Sequence, residues 1–256
     1  MVFAHADDET LLAGALIAKL VSEGHDVRIL CLAPGNDDRT DRLRKACDDL
    51  GVSSVETLRY TEGAMWPDQG TGATKSDGGT SLDPALAVVP TGDIASRISG
   101  RLAEISPDIV VTHSPYGDYG HADHWAVHRA VVQAFDHSSG EDARLYALDW
   151  PRLLVRLNAR LLKLGGGDIR RMGPNGRFNL SMSIPASASS TISINVASGL
   201  VARRSASRWY APEISNGPLP MRVLERLPLR IQRLVLGKCR LILVSGPENH
   251  LPNHGL

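Results

Sequence analysis

The sequence carries no net charge. Lys and Arg total 28 and Asp and Glu total 28, so the bulk composition lacks the cationic excess with which nucleic-acid-binding proteins hold phosphate. With 43% hydrophobic and 22% charged residues, it is not an acidic disordered chain either. No apolar run reaches the ~18–20 residues that a membrane-spanning helix needs, and no basic-then-apolar leader precedes the first motif. Cysteine is scarce. Cys31, Cys47 and Cys239 are odd in number and far apart, which excludes a disulfide framework and any zinc-finger or redox spacing. They are expected to be buried thiols in a reducing compartment, the cytoplasm. What remains is a chain of 256 residues, long enough for one large α/β domain whose core needs no covalent staple.

Extended and helical patterns alternate through the first half. Val2 to Ala4 is a short apolar run that ends at His5. Glu9 to Glu23 places Leu12, Leu16, Ile17 and Leu20 at helical spacing, with Gly24 behind them as a stop. Asp26 to Ala33 reads as a buried strand, and Pro34-Gly35-Asn36 as a loop. A helix over Arg39 to Leu50 stops at Gly51, and a strand over Val52 to Tyr60 follows. Thr61 to Pro90 is a long irregular stretch rich in Gly, Thr, Ser and Asp, either a lid over the substrate or a tolerated surface insertion. Then come a helix over Gly92 to Ile105, a buried strand over Pro107 to His113, a loop over Ser114 to Gly120 and a helix over Ala122 to Phe135.

Such alternation predicts an α/β fold with a mostly parallel sheet flanked by helices. Beyond Leu145 the pattern weakens. Helices are expected over Leu153 to Leu164, Ala197 to Tyr210 and Val223 to Leu236, and strands over Thr191 to Val196 and Arg240 to Val244. The expected layout is one domain over residues 1–256. Its regular core spans 1–150, and a less regular C-terminal portion over 151–256 forms the substrate pocket.

Two clusters carry the chemistry. Ala4-His5-Ala6-Asp7-Asp8-Glu9 closes the first strand, and Tyr119-Gly120-His121-Ala122-Asp123-His124 follows the fourth. In an open parallel sheet both lie at the carboxyl edge, where ligands bind. Imidazole and carboxylate together suit zinc or another first-row divalent metal, and three protein ligands leave a position open for water. A further carboxylate beside the ligands can take that water's proton. The simpler reading of Asp7-Asp8-Glu9 is helix capping and dipole complementarity. Capping leaves His5 unexplained, and it is the coincidence of both clusters at matched strand ends that favours a metal.

The first cluster resembles the A-H-P-D-D-E signature of the PIG-L/LmbE-like zinc deacetylases. His121-Ala122-Asp123-His124, preceded by Tyr119-Gly120, resembles that family's H-P-D-H signature. Gly14 to Leu32 is similar to the family's first helix and second strand, and Arg39 to Val52 to its next helix. The resemblance covers residues 2–135, is faint from Thr191 to Val244 and is absent between Asp149 and Thr191. It implies a Rossmann-like fold and removal of an acetyl group from an N-acetylglucosamine-type sugar. It further implies His5, Asp8 and His124 as ligands of Zn2+, with Fe2+ or another divalent metal as the alternative, and Asp7 as general base. His121 is implied to stabilise the oxyanion or protonate the leaving amine, and Asp123 to tune His121. Tyr119 is implied to stand near the reacting carbonyl and Arg39 to bind substrate. Ala6 and Ala122 replace family prolines. Proline would only stiffen those turns, so the chemistry is expected to survive. The family's first strand is usually longer than Met1 to Ala4 allows, which leaves open a start upstream.

Other residues have local readings. His113 is a satisfied strand-end histidine or an outer partner of the site. His128 is a packing or surface residue, because Trp125 stands where the zincin motif needs Glu. Trp66 lines a sugar site or anchors its own loop. Gly165-Gly166-Gly167 lacks the Lys-Ser/Thr of a phosphate loop. Arg222 to Arg240 is basic and amphipathic, a solvated face with an anionic carrier or a membrane surface as alternatives. His250 and His254 belong to a frayed tail. The expected activity is zinc-dependent N-deacetylation of an acetylated amino sugar or glycoconjugate. The alternatives are hydrolysis of another acyl amide or ester, and a non-catalytic sugar- or nucleotide-binding module. No nucleic-acid partner and no membrane span are expected, and a homo-oligomer is left open.

Overall fold

The computed structural model describes residues 1–63, 85–138, 140–149, 152–170, 172, 178–183, 191–217 and 219–247. Trp66, the centre of the long insert and the tail with His250 and His254 lie outside the described residues. Strand β1 (Val2–His5) pairs in parallel with β2 (Arg28–Ala33), and β2 with β3 (Ser54–Thr57). A second sheet joins β4 (Ile109–Thr112) in parallel to β5 (Arg144–Asp149). Its far side is antiparallel: beyond β6 (Thr191–Asn195) in the chain, β7 (Lys238–Ser245) returns between β5 and β6, giving the order β4-β5-β7-β6.

The edges β1 and β4 face each other through side chains. The Thr112 hydroxyl donates to the Val2 carbonyl at 3.0 Å, and the Ala4 N–H donates to His113 Nε2 at 2.8 Å. Strand direction therefore continues across the gap, while connectivity switches sides there. This is where an open α/β sheet leaves a crevice at its carboxyl edge, and β1 delivers His5 to it.

Strand alternation builds two cores. Phe3, Ile29, Cys31, Val111, Tyr146 and Leu148 point to one face. There they meet α2 (Gly14–Ser22), α3 (Asp37–Leu50) and α7 (Leu200–Ser207) through Leu16, Ile17, Leu43, Leu50 and Leu200. Val2, Ala4, Leu30, Leu32, Val110 and Leu145 point to the other. That face is covered by α4 (Thr91–Ile105) and α5 (Ala122–Ser138) through Ile94, Ile98, Leu102, Val127 and Val131. Helix α3 begins two residues before the position expected from its apolar pattern. The Asn36 side chain accepts the Arg39 N–H at 2.9 Å, a cap worth about 1 kcal/mol, and Gly51 at φ 78° ends the helix in a left-handed turn.

Three expected elements are divided. Glu9 to Glu23 forms α1 (Asp8–Leu11) and then α2, because Arg203 intrudes at the break. Its guanidinium donates to the Leu11 carbonyl at 3.5 Å, and its stem lies so near Gly14 that a Cβ there would sit 3.0 Å from Arg203 Cγ. Ala197 to Tyr210 is a 3₁₀ turn, α7 and a second 3₁₀ turn at Arg208–Tyr210. After α6 (Arg152–Leu164) and α8 (Ala211–Asn216), the stretch Val223 to Leu236 falls into α9 (Leu219–Arg226) and α10 (Leu229–Leu236). Pro228 separates them, since it lacks the N–H that a continuous helix needs.

Strand β5 lies where the sequence pattern weakens, yet Leu145 to Leu148 are all buried. The basic amphipathic stretch forms α9, α10 and the start of β7, and leaves Leu234 81% exposed. All three cysteines are free. Cys31 and Cys47 are buried and Cys239 is half-buried. Burial raises all three thiols, Cys239 to about 12. No helix among the described residues is long and apolar enough to cross a membrane.

Candidate metal centre

His5 is the last residue of β1. Two residues later the chain turns through Asp7, whose φ of 139° lies where residues bearing a Cβ are strained, at a cost of about 1–3 kcal/mol. The turn carries Asp8 back under His5. The Asp8 Oδ2 accepts the His5 backbone N–H at 2.9 Å. Across the crevice, the first turn of α5 supplies His124.

The three donor atoms form a nearly equilateral triangle. His5 Nδ1 lies 3.4 Å from Asp8 Oδ2, His124 Nε2 lies 3.3 Å from Asp8 Oδ2, and the two imidazole nitrogens are 3.2 Å apart. Ligands at ~2.0–2.1 Å from a tetrahedral cation sit about 3.3 Å from one another. The outer nitrogens fix which atoms carry protons. His124 Nδ1 lies 2.7 Å from Asp118 Oδ2 and His5 Nε2 lies 3.0 Å from Asp123 Oδ2. A carboxylate only accepts, so each outer nitrogen holds the hydrogen and each inner one presents a lone pair. Two imidazole nitrogens and a carboxylate oxygen thus lie within 3.4 Å of one another, a spacing that suits a cation.

The surrounding carboxylates favour positive charge at these same atoms, as a proton when no cation is bound. Burial opposes the charged form of His124, but Asp8 and Asp118 outweigh it and lift the imidazole to about 9. Burial opposes the charged form of His5 as well, and Glu62, Asp123 and Asp8 together raise it well above its ordinary value. Burial would raise Asp8, yet the surrounding imidazoles hold it well below the usual carboxylate range.

Two neighbouring histidines also lie within reach of these atoms, in the groups His5–His121–His124 and Asp8–His113–His124. His113 has both nitrogens committed. Nε2 accepts the Ala4 N–H, and Nδ1 lies 2.6 Å from Asp118 Oδ2. His121 accepts the Asp123 backbone N–H on Nδ1 at 3.1 Å. Its ring stacks on His124 with centroids 4.7 Å apart.

The Asp123 carboxylate reaches His5, and it also accepts the N–H groups of Gly63 and Ala87 at 3.3 and 3.0 Å. Its link to His121 runs through its backbone N–H. Tyr119 stands over the imidazoles, 5.2 Å from the His124 ring. His128 packs its Nδ1 at 2.9 Å from the His113 carbonyl.

Asp7 makes no cap hydrogen bond. Its carboxylate faces Arg39, with Nη2 3.4 Å from Oδ2. Burial pushes Asp7 up to about 8 against the pull of that guanidinium. Arg39 in turn donates to the Ala6 carbonyl at 3.0 Å and pairs with Glu62 and Glu213. The structure therefore brings His5, Asp7, Asp8, Arg39, Tyr119, His121, Asp123 and His124 to one crevice.

Sequence reasoning missed Asp118, Glu62 and Phe178. Asp118 serves His113 and His124 from a left-handed residue in the loop after β4, at φ 59°. Glu62 is the second residue of the long insert. Phe178 arrives from the C-terminal half and packs 5.1 Å from His121. There Gly120, at φ 87°, lets the chain pass so close that a Cβ would lie 2.1 Å from the Asn179 carbonyl oxygen. None of these residues stands in a spacing that marks it.

Known proteins share this arrangement of sequence and fold. The chain is 32% identical to a 1D-myo-inositol 2-acetamido-2-deoxy-alpha-D-glucopyranoside deacetylase of Kineococcus radiotolerans, over 56% of this chain and 46% of that protein. It thus spans about half the length of that relative. With the deacetylase of the same name from Thermomonospora curvata it shares 28% identity over 85% of this chain and 82% of that protein. A crystal structure of a zinc-inhibited form of the teicoplanin deacetylase Orf2 has the same fold, with a TM-score of 0.60 at 17% identity over 97% of this chain and 99% of that one. The profile of the PIG-L family, GlcNAc-PI de-N-acetylase, matches residues 1–135, more than half of the 256 residues. With both histidine–aspartate clusters inside that match, the chain belongs to the PIG-L family.

Proposed function

We propose that the chain is a metal-dependent deacetylase that removes an N-acetyl group from an amino sugar or an amino-sugar-containing glycoconjugate. The observation that carries this reading is the triangle of His5, Asp8 and His124 lone pairs with the Asp7 carboxylate beside it. Relatives named as deacetylases of an acetamido-sugar inositol conjugate support this reading. Zn2+ fits the donor set and its edge lengths, and Fe2+ is the alternative. When bound, such an ion supplies Lewis acidity for the acyl oxygen and a water acidified towards neutrality.

The chain's own residues do the rest. Asp7 accepts the proton of the attacking water as the new C–O bond forms. Because His121 Nδ1 takes the Asp123 N–H, the ring proton is assigned to Nε2. That proton suits the developing oxyanion. It does not suit the leaving amine, because giving it up would leave an imidazolate. The proton held by Asp7 therefore passes to the departing nitrogen as the C–N bond breaks, and acetate and free amine result. Asp123 and Asp118 orient His5 and His124, and Arg39 and Tyr119 flank the base and the imidazoles, where they contact the sugar.

His121→Ala is expected to lower kcat by about 10²–10³-fold, the usual worth of one oxyanion donor, with metal content unchanged. Steady-state kinetics beside metal analysis check it. A variant that loses its metal instead would make His121 a ligand. Acetate release from a panel of N-acetylglucosaminides, longer acyl amides and esters tests the substrate class. Acetamido sugars are expected to be turned over best. A preference for esters or for amides without a sugar would overturn the reading.

A further inference from the structure

One short stretch of the C-terminal half reaches Asp7 by two routes. Tyr210 closes the 3₁₀ turn Arg208–Tyr210 and is fully buried. Its hydroxyl donates to Glu9 Oε1 at 2.8 Å. Glu9 is itself 0% exposed. The Thr10 hydroxyl donates to the same oxygen at 2.6 Å, and the Asp7 backbone N–H donates to the other at 3.0 Å. Three residues beyond Tyr210, Glu213 of α8 bridges Arg42 at 2.8 Å and Arg39 at 3.5 Å, and Arg39 faces the Asp7 carboxylate. One route ends on the peptide of Asp7 and the other on its side chain.

We propose that Glu9 and Tyr210 are positioning residues for Asp7, holding its strained peptide so that the carboxylate keeps a single direction. The argument is physical. A carboxylate buried beside an apolar core is costly unless donors satisfy it, and here two hydroxyls hold one oxygen while the other takes the Asp7 N–H. The φ of 139° persists only while its surroundings hold it. Freed of Glu9, Asp7 relaxes to ordinary backbone angles and its carboxylate swings away. A misplacement of ~1 Å is enough to cost about 10²-fold in rate. Because Tyr210 lies outside the segment shared with the family profile, the C-terminal half takes part in placing the base as well as in shaping a pocket.

The inference rests on the reading of Asp7 as the base, and the experiment separates the two. Glu9→Ala, Glu9→Gln, Tyr210→Phe and Asp7→Asn are compared in the metal-loaded protein for kcat, KM and metal content. Hydrogen exchange of the Asp7 amide is followed by NMR. Glu9→Ala is expected to lower kcat by about 10²-fold, and Tyr210→Phe by roughly 5–10-fold, the worth of one hydrogen bond. KM should stay within about twofold, as for a loss felt only in the transition state, and metal content should not change. The Asp7 amide should exchange faster in both.

Glu9→Gln should recover most of the rate. Its amide oxygen can accept the Asp7 N–H, and its NH2 can donate to the Tyr210 and Thr10 oxygens. If Glu9→Ala fails to fold, Tyr210→Phe carries the test. Wild-type kcat and unchanged Asp7 exchange in Tyr210→Phe would overturn the proposal. So would losses that track metal content or melting temperature with no rescue by Gln. Full turnover in Asp7→Asn would remove the base reading and the proposal with it. An inactive Asp7→Asn beside unimpaired Glu9 and Tyr210 variants would remove the positioning role alone.

Discussion

Asp7→Asn is expected to leave the protein folded and able to hold its metal, while slowing acetate release by about 10²–10⁴-fold, the usual contribution of a general base. The substitution keeps the shape of the side chain and leaves the backbone contact to Glu9 in place, since that contact runs through the Asp7 N–H. Asp7 is not one of the three converging donor atoms, so the triangle of His5, Asp8 and His124 survives it. What disappears is the capacity to take a proton from water and return it to the amine, together with the charge that faces Arg39. Steady-state kinetics on metal-loaded protein check the prediction. Near-normal turnover with metal bound would move the base elsewhere.

His124→Ala and Asp8→Ala are expected to lower metal affinity by more than about 10²-fold, beyond the 10–100-fold that loss of an outer hydrogen-bonding partner costs. Acetate release should fall to background at metal concentrations that saturate the native protein. Each variant removes one corner of a triangle whose edges already match a tetrahedral cation. Competition with a chromophoric chelator measures the affinities. The same assay on Asp118→Asn should give the smaller loss, because Asp118 meets His124 at its outer nitrogen, not at the inner one. Wild-type affinity in either ligand variant would transfer the site to one of the neighbouring histidines.

Much of this was legible in the sequence, and the reason is local. The strand that ends at His5, the turn through Asp7 and Asp8 and the helix that starts at Ala122 are each defined by residues close in the chain. Hydrophobic period and short motifs read such segments well. The helix stops at Gly24 and Gly51 follow from backbone freedom alone.

What was not legible depends on distant partners. The break before Gly14 exists because Arg203 fills it. Asp118 looks like an ordinary loop aspartate until His113 and His124 close on it. Glu9 resembles a helix-capping acid, and its contact with Tyr210, far along the chain, is marked by no spacing. Asp123 was expected to tune His121 with its carboxylate. The structure places that carboxylate on His5 and leaves the backbone N–H for His121, a distinction that no spacing encodes. Pro228 is the exception. Its missing N–H predicts the break between α9 and α10, and the amphipathic pattern across it hid the signal.

The proposed function requires one cation, held by His5, Asp8 and His124, for the crevice to act as a deacetylase. Its most direct test is an activity titration. Protein stripped of metal by a chelator is reloaded with Zn2+, and in parallel with Fe2+ under anaerobic conditions, while acetate released from an N-acetylglucosaminyl substrate is measured. No release is expected from the stripped protein, and a rise that breaks sharply at one metal per chain is expected on reloading. Release that is independent of added metal, or none at any loading with either ion, would contradict it.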